Sequence, residues 1–166
     1  MTEQLTHIDP KLFEILETVS DPEIPVLSIM EMGVVRSAKI NNGIVDVQIT
    51  PTYSGCPAMD VIGDDIKLAF QQKGYNAKVT LILSPAWTTD WITPKGRAAL
   101  EKYGIASPLS ADADKEALLG NKKVVKCPQC GSLNTKLVSQ FGSTACKALF
   151  QCDDCLEPFD YFKCLK

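Results

Sequence analysis

Two Cys-x-x-Cys motifs, Cys127-Pro-Gln-Cys130 and Cys152-Asp-Asp-Cys155, stand 21 residues apart near the C-terminus and constrain this chain more than any other feature. A tight turn in each motif, helped at the first by Gly131, aims two sulfurs to one side. Two such pairs complete a tetrahedral four-sulfur metal site. Between them, Thr135 to Gln140 and Ala148 to Gln151 read as short β-stretches, the parts of a zinc ribbon. A module of about 45 residues buries too little to fold alone, so metal is expected to supply most of its folding free energy. For structural zinc that is on the order of 10 kcal/mol. Four thiolates suit zinc, a single iron or an iron–sulfur cluster, and a closed tetrahedral site is most often zinc.

The chain has 166 residues, 7 Cys and a single His, His7. One His excludes a di-iron oxygenase bundle, which needs two Glu-x-x-His pairs. It also argues against His-dependent triads. No apolar run approaches the roughly 20 residues of a membrane span, and Met1 to Pro10 lacks a signal-peptide core. A cytoplasmic protein is expected, which speaks against disulfides. Residues 1–120 hold 10 Lys and Arg against 16 Asp and Glu, whereas 121–166 hold 7 Lys against 4 Asp and Glu. Charge and cysteine therefore divide the chain alike. The expected organisation is a larger domain over 1–105, a linker over 106–123 and a metal-binding module over 124–166.

The larger domain reads as α-β-β-α-β-α, a small mixed sheet with packed helices, α+β in class. Asp9-Pro10 is an N-cap followed by proline in the first turn, and Leu12, Ile15, Leu16 and Val19 share a helical face. Ser20-Asp21-Pro22 ends that helix, and Pro22 and Pro25 stiffen the loop beyond it. Val34 to Ile40 and Ile44 to Thr50 are β-rich runs joined by a hairpin signal, Asn41-Asn42-Gly43. Met59, Ile62, Ile66, Ala69 and Phe70 mark a second helix that stops at Gly74. Ala77 to Leu83 is a third strand, and Thr93-Pro94 opens a last helix that ends near Tyr103-Gly104.

Cys56 stands apart from the other cysteines, just ahead of the second helix. Unpaired N–H groups and the helix dipole favour a thiolate there, by about 0.3–1 kcal/mol, less than one pKa unit. A small residue filling a tight turn is the plainer reading. Asp21 and Glu23 either approach Cys56 or cap their own loop. Cys146 and Cys164 are surplus to the four-sulfur site: two inert thiols, a replacement ligand, a redox pair or part of a second metal site. Phe159, Tyr161 and Phe162 are either ribbon core or a docking face. A local net charge of +3 over 121–166, on a chain of net charge −3 and without a dense basic run, speaks against nucleic acid. Neither Cys-x-x-Cys pair has the βαβ setting of a thiol oxidoreductase.

Asp21 to Ile29, Gly33-Val-Val and Thr52 to Pro57 resemble the SufT-like iron–sulfur assembly domain. With Pro85 to Trp91, Phe141 to Leu149 and Glu157 to Cys164, nearly the whole chain resembles the D-subunit family of bacterial phenylacetyl-CoA epoxidase systems. The resemblance implies an accessory protein of aerobic phenylacetate breakdown, not itself an enzyme. It implies oxygenase and reductase subunits as partners, whose iron and iron–sulfur centres it helps to mature. It maps a reactive cysteine onto Cys56 and an acidic loop onto Asp21 and Glu23. The alternative is a stoichiometric structural component of the epoxidase complex, held there through Trp87, Trp91 and the aromatic C-terminal segment.

Overall fold

A computed structural model describes residues 8–120 and 124–163. The chain divides into two compact units, Met1–Gly96 and Arg97–Lys166.

The first unit opens with α1 (Pro10–Glu17), where the Asp9 carboxylate caps the first turn by accepting from Lys11 N–H at 2.9 Å. Strands β1 (Val35–Asn41) and β2 (Ile44–Ile49) pair antiparallel. Their turn places Asn42 and Gly43 at φ of 50° and 81°, the left-handed pair that a tight hairpin requires. Helix α2 (Ala58–Gln72) then crosses over to β3 (Asn76–Leu81), which runs parallel to β2. The sheet order is β1-β2-β3.

Alternation along the strands decides what the sheet covers. Ala38, Val45, Val47 and Ile49 face the buried side with Leu12 and Leu16 of α1 and Ile62, Ile66 and Phe70 of α2. The opposite face carries Ser37, Lys39, Asp46, Gln48, Lys78 and Thr80.

Two loops finish this unit. In the first, Ser28 and Glu31 make reciprocal side-chain to backbone bonds at 3.1 Å, the pattern of a capping box. In the second, Trp87 lies buried and its indole N–H donates to Met32 O at 3.0 Å. Trp91 belongs to a single 3₁₀ turn, Thr89–Trp91, and its backbone lies against Gly33. A Cβ at Gly33 would meet Trp91 O at 2.4 Å, and Gly33 sits at φ 73°, so only glycine fits.

The division between the units falls inside α3 (Pro94–Tyr103). Residues 106–120, most of the expected linker, are therefore part of the second unit and not the linker that their polarity suggests. Arg97 donates to Pro108 O at 2.7 Å and Ser107 Oγ to Arg97 O at 2.9 Å, tying that stretch to the second half of α3. Strand β4 (Ile105–Ala106) pairs with β7 (Pro158–Phe162), and Ser110 caps α4 (Ala111–Leu118). Strands β5 (Thr135–Ser139) and β6 (Lys147–Cys152) complete a sheet of order β4-β7-β6-β5. Its core gathers Ala117, Val125, Phe150, Phe159 and Tyr161 around Cys127 and Cys152.

Tyr161 is fully buried, and its hydroxyl donates to the buried Asp114 carboxylate at 2.6 Å, fixing α4 to β7. The C-terminal aromatics are core. With Trp87 buried as well, the docking face expected from these side chains is absent at those positions.

Candidate metal centre and the Cys56 loop

Each cysteine pair sits in a knuckle built by backbone bonds. Gly131 N–H donates to Cys127 O at 3.0 Å, and Cys127 N–H to Ser132 O at 2.8 Å. At the second knuckle Cys152 N–H donates to Glu157 O at 3.0 Å. The residue after each second cysteine is left-handed: Gly131 at φ 77° and Leu156 at φ 67°. Adopting that conformation costs a leucine on the order of 1 kcal/mol, so the turn is imposed by its surroundings. Asp154 binds the knuckles together, accepting from Ser132 Oγ and, at 2.8 Å, from Asn134 Nδ2.

The four sulfurs of Cys127, Cys130, Cys152 and Cys155 lie within 4.8 Å of one another. Cys127 to Cys155 is 3.7 Å and Cys130 to Cys152 is 3.5 Å. Four sulfurs each about 2.3 Å from a central zinc would stand about 3.8 Å apart, so spacing and donor type both fit a tetrahedral metal. The thiols also disagree in acidity. Backbone N–H groups of Cys155 and Asp154, helped by neighbouring thiols and opposed by burial, bring Cys152 down to about 7. Glu157 N–H pulls Cys155 the same way, but burial and the three other thiols outweigh it and push that thiol up to about 12. Four such sulfurs ionise together only around a cation.

Cys56 is half-buried in the turn between β2 and α2. Its thiol is raised, first by burial and further by the charge of Glu23, against hydrogen bonds from Ala58 N–H, Tyr53 and Thr52. The helix start alone favours a thiolate, but here desolvation wins. The acidic loop splits its roles. Asp21 is buried and accepts from Glu23 N–H and Ile24 N–H, both at 2.8 Å, so it caps the loop, while the charge of Glu23 reaches the thiol. Thr52 and Tyr53 were missed from sequence, although hydroxyls three and four residues before a turn cysteine were a readable signal.

Cys146 is buried outside the four-sulfur group, with Thr144 Oγ1 3.1 Å from its sulfur. Its carbonyl accepts from Lys163 N–H at 3.0 Å, one rung beyond the β6–β7 ladder. Lys163 is buried too, and its ammonium lies 4.2 Å from the Phe141 ring. Cys164 lies outside the described residues.

This geometry has relatives. A protein of Escherichia coli (strain K12), provisionally named as the D component of 1,2-phenylacetyl-CoA epoxidase, is 46% identical over 93% of this chain and 92% of its own length. The chain belongs to that D-subunit family. Residues 111–163 match the family described as the PaaD zinc beta ribbon domain, beginning where α4 begins. Residues 10–81 match the family described as iron-sulfur cluster assembly protein and end with β3. The Fe-S protein maturation auxiliary factor SufT of Staphylococcus aureus (strain USA300) is 32% identical over 49% of this chain and 96% of its own length. A crystal structure of a DUF59 domain of unknown function from Bacillus anthracis superposes with TM-score 0.51 and 26% identity, covering 54% of this chain and 88% of that one. The chain thus joins an assembly-type α+β domain to a four-cysteine ribbon. No helix among the described residues is long and apolar enough to cross a membrane.

Proposed function

We propose that this chain is a non-catalytic maturation factor of a phenylacetyl-CoA epoxidase system, assisting assembly or insertion of iron or iron–sulfur centres in the oxygenase and reductase subunits. The observation that carries the reading is the pairing in one chain of a Cys56 loop on an assembly-type domain with a separate four-thiol centre.

The two cysteine sites would do different work. In the ribbon, Cys127, Cys130, Cys152 and Cys155 would hold a zinc ion that closes the second unit; the ion supplies cross-linking and no open position for chemistry. At Cys56 the cargo metal is the substrate. A thiol kept protonated by burial and by Glu23 is a poor resting ligand. An arriving cation displaces the thiol proton to solvent water, and Ala58 N–H with the Thr52 and Tyr53 hydroxyls stabilises the sulfur charge that results. As the one cysteine among the described residues of its own unit, Cys56 is built for release as well as capture.

The test is to co-produce the Cys56→Ser chain with its oxygenase and reductase partners. Fold and zinc content should stay at wild-type levels while the partners emerge iron-deficient. Fully metallated, active partners that co-purify with the variant in fixed ratio would sink the proposal and favour a purely structural role in the complex.

A further inference from the structure

We infer that Arg36, held over the ring of Trp91, is the cationic half of a carboxylate-binding site at one end of the first sheet. The inference is independent of Cys56 and of any metal.

Among the described residues, two buried side-chain polar atoms have no hydrogen-bond partner: Arg36 Nη1 and Thr50 Oγ1. Their backbones are near neighbours at one end of the sheet. Thr50 N–H donates to Val34 O at 2.8 Å, which sets Thr50 across from β1 two residues before Arg36. The β1–β2 register slips between Val35 and Ser37, so Arg36 is the extra residue of a bulge. Bulges re-aim side chains and recur beside functional sites.

The Arg36 guanidinium lies 3.6 Å from the centre of the Trp91 ring. Contact with the ring restrains the guanidinium and lowers the freedom lost on binding. Burial lowers its pKa, with no acidic group opposing. A half-buried cation with an unmet N–H costs free energy unless an anion completes it.

The guanidinium can only donate, so the partner its Nη1 lacks is an acceptor. Its chemistry follows from the donors. A single guanidinium of charge +1 presents a flat fork that matches a planar carboxylate. A phosphate would call for several cations or a run of backbone N–H groups. Trp91 lies outside both matched segments, 10–81 and 111–163, so this half of the site is carried by a stretch that neither family description covers.

A free acid and a side chain of a bound protein offer the same carboxylate, and the probes separate these sources. Indole and guanidinium N–H signals of the full chain are followed by NMR during titration with acetate, blocked glutamate (N-acetylglutamate amide) and inorganic phosphate, against chloride at equal ionic strength. Trp91→Phe assigns the indole. Saturable shifts of the Trp91 and Arg36 signals with a carboxylate are expected, weakened about tenfold or more in Arg36→Lys. Tighter binding of blocked glutamate than of acetate supports the site with a protein side chain as its ligand; the reverse supports it with a free acid. Saturation by phosphate alone, or shifts no larger than those with chloride, would overturn the inference.

Discussion

The two units solve the same stability problem by different means. The first buries Leu12, Leu16, Ile62, Ile66 and Phe70 between two helices and a sheet, and its buried Asp21, Ser28 and Glu31 cap loops. The second has a thinner core, and two of its central members, Cys127 and Cys152, belong to the four-sulfur group. The first unit is specified by packing, and the second by packing plus the cross-link that a metal on its four sulfurs would supply. Small domains near this size commonly need such a staple.

That contrast is open to measurement, and the largest effect should come from the cross-link. Chelation of the ribbon metal, or Cys127→Ser, should unfold β5–β7, a loss on the order of 10 kcal/mol for a structural zinc site, while first-unit amides keep their NMR signals. Loss of both units together would break the comparison. Next, Phe70→Ala removes a fully buried ring and should cost the first unit about 3–5 kcal/mol in urea unfolding. The ribbon's metal content should not change.

Tyr161→Phe should cost the second unit about 1–3 kcal/mol, because it leaves the buried Asp114 carboxylate without its hydroxyl donor. Hydrogen exchange should show the loss first in α4.

The smallest effect is electrostatic. Burial and Glu23 raise the Cys56 thiol, so the folded chain holds that proton where the unfolded chain has lost it. Its contribution to stability is therefore complete below the ordinary thiol value of 9.0 and declines as pH rises above it. Glu23→Gln should move the pH midpoint of Cys56 alkylation downward, toward the ordinary value. An unmoved midpoint would remove Glu23 from the site.

Local signals were legible where the physics is local. Asp9-Pro10 opened α1, Asn42-Gly43 turned the hairpin, and the spacing of Ile62, Ile66 and Phe70 marked the buried face of α2. Helix α4 escaped because its sequence is polar; it is held by long-range contacts such as Asp114 to Tyr161, which no window of sequence contains. Trp87 misled for the same reason. An aromatic in a loop reads as exposed until a carbonyl 55 residues away, Met32 O, takes its N–H.

The sequence by itself determined the donor chemistry: two Cys-x-x-Cys pairs dictate a four-sulfur centre, because turn geometry is set within a few residues. Tertiary structure alone decided how each remaining polar group is used. It made Asp21 a loop cap, brought the charge of Glu23 to Cys56, buried Cys146 apart from the metal centre and set Arg36 over the ring of Trp91. Burial and field depend on what distant segments bring to a side chain, and spacing along the chain does not encode them.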